Sequence, residues 1–404
     1  MKKNTFLSVA IVVLAGILVL LFMLPIGRND KTIPVNAPRP SHSDTTSKPD
    51  EVSEIKPVET PKIVRVKAAG DNLIHSSIYN QAKARAGGKG YDFSAAYQNV
   101  ADLIGDADFS MVNQETVIAP IYEPSNYPCF NSPVELQDQM LQLGFTVFNQ
   151  ANNHCIDKGE KGILSALEQW KKHPEALVTG VYKDETDYQN IRTKEVNGIS
   201  FAFIGMTEMT NGISLPQGSS VVILHTAEEQ KIKARVERAK KIADVVIVNV
   251  HWGNEYTHTP TDAQKSLAKK MGEWGADLIV GHHPHVIQPI EWLENTDGRK
   301  TLVAYSLGNF ISAQDKGVRM IGGVLDITFT KETPQSAATI TKALMVPIIT
   351  HYDKSFQNIR LYPLSRYTSD LAARHGVKRN TPEFSMDFIN ETLHTVIGED
   401  FLEK

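Results

Sequence analysis

Six short polar clusters in this sequence carry residue types that hold divalent metals and move protons. They are Gly70-Asp71-Asn72-Leu73-Ile74-His75, Asn113-Gln114-Glu115, Asn149 through His154, His251-Trp252-Gly253-Asn254-Glu255, Gly281-His282-His283-Pro284-His285 and Leu307-Gly308-Asn309-Phe310. Carboxylates, neutral imidazoles and an amide oxygen together suit borderline divalent ions: one or two of Mn²⁺, Zn²⁺ or Fe²⁺. A carboxylate can bridge two such ions. Ions roughly 3.5–4 Å apart clamp both the attacking and the leaving oxygen of a phosphoryl displacement, with a metal-acidified water as nucleophile. His154 is suited to protonating or positioning a leaving oxygen.

Each cluster follows a β-rich run. Strands are predicted over Ile63–Ala69, Asp108–Asn113, Phe145–Asn149, Ile199–Gly205, Asp244–His251, Asp277–Gly281, Leu302–Ser306 and Gly323–Phe329. Helical periodicity fits Glu135–Leu143, Lys161–Trp170, Ala227–Ala243 and Asp262–Trp274. Alternation of this kind indicates an α/β domain with much parallel sheet. The carboxyl ends of parallel strands face one crevice, where ligands bind. Asp71, Glu115, Asn153, His154, His251, His283 and His285 are therefore expected near one another.

Plainer readings stand beside these. His75 reads as a structural histidine capping the next helix, and secondarily as a ligand. Asn113 and Glu115 could satisfy backbone groups of a turn. Asp157 reads as the cap of the helix that starts near Gly159. Ser306, Gly308 and Asn309 shape a tight loop under the site, with Asn309 in reach of a ligand side chain. His282 and Glu255 are further candidates. His173, His225, His258, His351, His375 and His394 do not cluster and default to surface or packing roles. The charged helix after Ala227 reads as a solvated amphipathic face with Ile232 and Val236 buried.

The chain has 404 residues, 41% apolar and 22% charged, with a formal net charge of -4. That balance is ordinary for a folded protein and gives no electrostatic footprint for nucleic acid. The two cysteines, Cys129 and Cys155, exclude a CxxC zinc site and a disulfide-dense scaffold, and leave one bridge open. From Thr5 to Pro25 the chain is uncharged and apolar, long enough to span a bilayer, with Lys2 and Lys3 before it. The run is too long for a signal-peptide core and lacks a small-x-small cleavage site, which favours an uncleaved anchor over residues 1–28. Residues 29–62 have the polar, Pro-rich composition of a tether. A domain is expected over 63–345, with 346–404 as its closing segment. The bulk of the chain is expected outside the cell membrane.

The ordered set GDNLIH, NQE, ANNHCIDKG, HWGNEY, GHHPHVIQPIE and AYSLGNF resembles the CapA (poly-γ-glutamate capsule synthesis) family, a branch of the metallophosphatase-like superfamily. The resemblance covers roughly Lys62 to Phe329. It implies an α/β/β/α sandwich, a capsule-synthesis role, an anionic surface polymer or its precursor as ligand, and membrane subunits of a synthesis complex as partners. It also implies roles: Asp71 as the first metal aspartate, Glu115 as the bridging acid and Asn153 as a ligand. His154 becomes the leaving-group residue, and His251, His283 and His285 the remaining ligands. Three departures stand out: Leu73 where the superfamily has a histidine, Glu115 in place of aspartate, and His282 able to substitute for His283. Two functional readings follow, a metal-dependent phosphoesterase-like hydrolase and a non-catalytic subunit that binds polymer or partners.

Overall fold

The structure, a computed structural model, describes residues 60–403. The expected membrane segment over 1–28 and nearly all of the tether over 29–62 lie outside them. Among the described residues no helix is long and apolar enough to cross a membrane.

The chain first lays down four neighbouring parallel strands, β1 (Lys62–Asn72), β2 (Phe109–Asn113), β3 (Phe145–Asn149) and β4 (Leu177–Thr179). It then crosses over. β5 (Val181–Tyr182) begins a short ribbon, and β6 (Arg192–Val196) and β7 (Ile199–Thr207) form an antiparallel hairpin. β8 (Val222–Ile223) closes the ribbon against β5. β9 (Val245–His251) and β10 (Leu278–His282) continue the second sheet in parallel, and β11 (Ile290–Glu294) and β12 (Lys300–Ala304) finish it. The chain returns to the first sheet through β13 (Asn309–Ile311), β14 (Ile321–Lys331), β15 (Thr339–Asp353) and β16 (Gln357–Pro363). The sheet orders are β16-β15-β14-β1-β2-β3-β4, with β13 beside β1, and β11-β12-β10-β9-β7-β6.

The mixed α/β architecture is a sandwich of two sheets. Strand β9, VVIVNVH, is buried along its whole length because both its faces are covered. Val245 and Ile247 join a core with Val64 and Val66 of the first sheet, whereas Val246 and Val248 pack with Ile232, Val236, Ala268 and Met271 of two outer helices. Phe201 locks the sheets together, its ring edge-on to Phe109 at 5.1 Å and to Phe329 at 5.3 Å. The outer helix Asp262–Trp274 starts on a reciprocal cap between Thr261 and Gln264.

The strands expected from sequence appear with small shifts at their ends. Three further features shape the sheets and the outer helices. β6 and β7 are joined by Asn197-Gly198, both at positive φ (48° and 77°), the two-residue turn that suits a twisted hairpin. β15, 15 residues long, and β16 add to the edge of the first sheet, so the stretch after Met345 continues that sheet. The charged helix Glu229–Lys240 is not solvated on all its basic positions, since Arg235 is buried over the rings of Tyr182 and Tyr188.

Candidate metal centre

The ends of β1, β2, β3, β9 and β10 converge on one crevice. Asp71 pairs in register with Asn113 on one side and Asn309 on the other. Gly70 allows β1 to pass the following loop, because a Cβ there would sit 1.9 Å from the Gly308 carbonyl. His251 and His282 are register neighbours at the ends of β9 and β10. Beyond β10 the backbone turns sharply: His283 has φ 101° and His285 φ 57°. Non-glycine residues in this region are strained, and such strain gathers at functional sites. Here it aims both rings inward.

Two overlapping donor groups result. In the first, donor atoms of Asp71, Glu115 and His285 all lie within 4.8 Å of one another. His285 Nδ1 is 3.2 Å from Asp71 Oδ2, and its Nε2 is 3.7 Å from Glu115 Oε1. In the second, His251 Nε2 lies 2.9 Å from Asn153 Oδ1, 3.1 Å from His283 Nδ1 and 3.8 Å from Glu115 Oε1. Glu115 belongs to both.

The electrostatics of the cluster are dominated by burial and by close like and unlike charges. Glu115 is fully buried and neither carboxylate oxygen has a hydrogen-bond partner. Burial, followed by the nearby Asp71 charge, pushes its carboxyl well above the usual range. Burial drives His251 far below the ordinary imidazole range, helped by the neighbouring His283, His282 and His285. Burial likewise lowers His282 and His283 to about 4. Burial would also lower His285, but Glu115, Asp71 and Glu255 outweigh it and raise the ring to about 9. Burial works against the Asp71 carboxylate too, yet the His285 hydrogen bond and the His285 and His282 charges hold it below its ordinary value. An orphaned buried carboxylate is costly and calls for a partner. A divalent ion supplies one; the neutral imidazoles of His251 and His283 are in the ligating form, and His285 would give up its proton when an ion binds. The donor set fits.

The remaining candidates surround this core. Asn113 Nδ2 donates to Asp71 Oδ1 at 2.8 Å, and Asn113 Oδ1 accepts from Asn149 Nδ2 at 2.9 Å. Asn309 Oδ1 faces His285 Nδ1 at 3.0 Å. His282 sits behind Asp71, its Nδ1 3.7 Å from Oδ1 and its Nε2 against Asn249. Glu255 stands at the rim, 3.9 Å from His285 Nε2. His75 occupies the N-cap position of the helix Ser76–Arg85, but its side chain makes no cap; its Nδ1 meets Leu73 O and the Ala313 N–H. Burial lowers this ring to about 4. His154 is buried beside the crevice with Nδ1 2.8 Å from Asp157 Oδ2.

Asp157 was read as a helix cap and is not one. The helix Gly159–Trp170 has Lys158 at its N-cap. The Asp157 carboxylate instead orients His154 and accepts the Phe130 N–H at 2.7 Å. The Phe130 ring is edge-on to both His154 and His75, at 4.8 and 5.4 Å. The i,i+3 spacing of His154 and Asp157 was the available signal for this pair. Both cysteines are free; Cys155 is buried, which pushes its thiol to about 12.

Two cavities flank the donors, one of about 340 Å³ lined by His75, His154 and His285, the other of about 630 Å³ lined by Asn153, His154 and His283. They share Tyr127, His154 and Glu255 and so form one groove across the site.

A family profile described as bacterial capsule synthesis protein PGA_cap matches residues 65–314, which include every donor named above. The chain belongs to that family. It is 32% identical over 269 residues to the PGA biosynthesis protein CapA of Bacillus subtilis (strain 168), covering 63% of this chain and 67% of the relative. It is 31% identical over 233 residues to the capsule biosynthesis protein CapA of Bacillus anthracis, covering 55% of each chain, so it spans about half of that relative's length. A solved structure of the NAD nucleotidase of Haemophilus influenzae aligns with 83% of this chain and 60% of its own, at 14% identity and a TM-score of 0.42.

Proposed function

We propose that this chain is a membrane-anchored, extracytoplasmic protein of capsule or poly-γ-glutamate synthesis, with a metal-dependent hydrolase-type site. The observation that carries the site is Glu115, a buried carboxylate without a partner that belongs to two donor groups at once. Asp71, Glu115 and His285 would hold one divalent ion, and Glu115, Asn153, His251 and His283 a second. Ions there would supply Lewis-acid activation of water and substrate. The process is supported by the two relatives, whose names place them in capsule and PGA biosynthesis. The anchor rests on the apolar run Thr5–Pro25. An anionic surface polymer or its precursor, and membrane subunits of the same synthesis machinery, are the proposed ligand and partners.

The chain's own groups divide the work. Asp157 holds Nδ1 of His154, which fixes the tautomer and leaves Nε2 to carry a proton to a leaving oxygen. Asn113 orients Asp71, and Asn309 orients His285, so both ligands are fixed before substrate arrives. Phe130 packs edge-on against the His154 ring and limits its tilt.

One observation favours the non-catalytic reading. Leu73 removes a ligand from the first donor group, and His75 is tied to backbone instead of filling its place. Elemental mass spectrometry on full-length protein, purified without chelator, separates the two readings. The hydrolase reading expects bound divalent metal and nitrophenyl-ester hydrolysis that His154→Ala abolishes with metal content unchanged. Less than about 0.2 metal per chain overturns it.

A further inference from the structure

Arg319 lies on the short 3₁₀ turn Gly317–Met320 that leads into β14, and it lines the smaller cavity with His75, His154 and His285. Among the described residues it is the one lysine or arginine in that lining. Its guanidinium has no hydrogen-bond acceptor there, and Nε is enclosed without a partner. The nearest carboxylate oxygen, of Asp315, is 3.9 Å from Nη1, beyond hydrogen-bond range. That aspartate is half exposed and accepts instead from Asn380 at 2.8 Å. The Nη donors at the end of this rigid fork are thus left without a hydrogen-bond acceptor at the cavity wall.

The arginine is nonetheless held firmly, from both ends, with reference to His285. Its Cζ sits 3.5 Å from the centre of the Tyr256 ring, and that ring stacks on His285 at 6.0 Å and 30°. Tyr256 reaches this position through a left-handed backbone (φ 64°), strained for an aromatic residue, pinned by its N–H to the Pro284 carbonyl at 2.8 Å. At the other end, the Arg319 carbonyl accepts from Asn309 Nδ2 at 3.1 Å, and Asn309 Oδ1 faces His285 Nδ1. A free guanidinium fixed relative to a metal-ligand candidate is the arrangement that reads an anion at a set distance from the reacting centre.

We propose that Arg319, stacked on Tyr256, is the oxyanion anchor of the groove and grips a carboxylate or phosphate of the ligand in a bidentate fork. The proposal rests on the reading of this groove as the ligand site and names the chemistry it selects. A planar guanidinium matches the paired oxygens of either group, and lysine does not reproduce that fork. Because the two cavities join at His154 and Glu255, an anion held by Arg319 leaves the rest of an extended ligand lying past His285 into the larger cavity. Arg319 and the cavity residue Phe356 both lie beyond residue 314, so this wall comes from chain outside the matched family segment.

The test is calorimetric titration of the full-length, detergent-solubilised protein with γ-linked triglutamate and, separately, with inorganic phosphate. Each titration is run on metal-stripped and on Mn²⁺-loaded protein. Arg319→Ala is expected to weaken the binding of at least one probe about tenfold or more, and Arg319→Lys to recover only part of it. Metal content and melting temperature should stay at the wild-type level in both variants. Preference for triglutamate assigns a carboxylate, and preference for phosphate a phosphoryl group. Wild-type protein that binds neither probe in either state overturns the proposal, as does an Arg319→Ala variant that binds both as tightly as wild type. Arg319-dependent binding by protein that takes up no metal leaves the anchor standing and removes the metal reading alone.

Discussion

Replacing Glu115 by glutamine separates a metal-bridging role from a merely structural one. The side chain is fully buried, both its oxygens lack partners, and it joins both donor groups, so its loss should weaken both positions together. With free Mn²⁺ at 100-fold above its Kd, linkage stabilises the folded protein by about 2.7 kcal/mol. For the domain described over residues 60–403, an unfolding entropy near 2.1 cal/mol/K per residue amounts to about 0.7 kcal/mol/K. Wild type should therefore melt about 4 °C higher for each ion bound at that saturation than without it. If Glu115→Gln weakens binding about 100-fold, roughly 0.4 kcal/mol remains, a shift of less than about 1 °C. Scanning calorimetry of the full-length protein reads this directly. An equal shift in variant and wild type refutes the reasoning, because the ion would then bind elsewhere. A second arm uses metal-free protein. A carboxyl whose folded pKa is raised contributes stability that is complete below its ordinary 4.5 and is lost as pH rises through the folded value. The stability of Glu115→Gln relative to wild type should thus grow as pH rises above 4.5. A difference that stays constant with pH would contradict the account of its burial.

Three further outcomes follow from other parts of the molecule. Asp157→Asn should lower nitrophenyl-ester hydrolysis at least about tenfold with metal content unchanged, since it loosens His154 and touches no ligand; unchanged turnover would remove His154 orientation from the account. Phe201→Ala should cost about 3–5 kcal/mol in urea unfolding, because that ring fills the space between Phe109 and Phe329. A loss under about 1 kcal/mol would mean the sheets do not meet there. His375, near His351, has Nδ1 accepting from the Val377 N–H and Nε2 against the Thr350 carbonyl, and burial lowers it to about 3. Its neutral form is the one the fold uses. Its contribution is therefore complete above the ordinary 6.5 and is lost as pH falls toward 3. His375→Gln should lose less stability than wild type between those pH values, measured by thermal melts.

Much of the site could be read before the fold because apolar runs such as VVIVNV end abruptly in polar clusters, and parallel strand ends share a crevice. Side-chain direction could not. His251 and His282 are the register neighbours, yet the left-handed backbone at His283 and His285 is what puts those two rings among the donors. Position on the chain does not encode that twist. Asp157 was ambiguous for a physical reason: three residues after His154 and two before a helix, the same carboxylate can cap or orient. His351 and His375 looked isolated because their contact, 4.7 Å between rings, joins β15 to a turn 24 positions on. The Asn-Gly pair at 197–198 carries the sequence signature of a two-residue hairpin turn, and both residues adopt positive φ. Arg319 carried no periodic or motif signal, and its meaning arises only from Tyr256 beneath it. β15 escaped because its exposed first half and Pro347 blur the alternation of an edge-side strand.

The most direct test of the central claim is an anomalous difference map from crystals of Mn²⁺-loaded full-length protein. The account predicts density among Asp71, Glu115 and His285, and among Glu115, Asn153, His251 and His283, with the Glu115 carboxylate between the two positions. Ordered Glu115 oxygens with no anomalous density beside them, at saturating Mn²⁺, would contradict it.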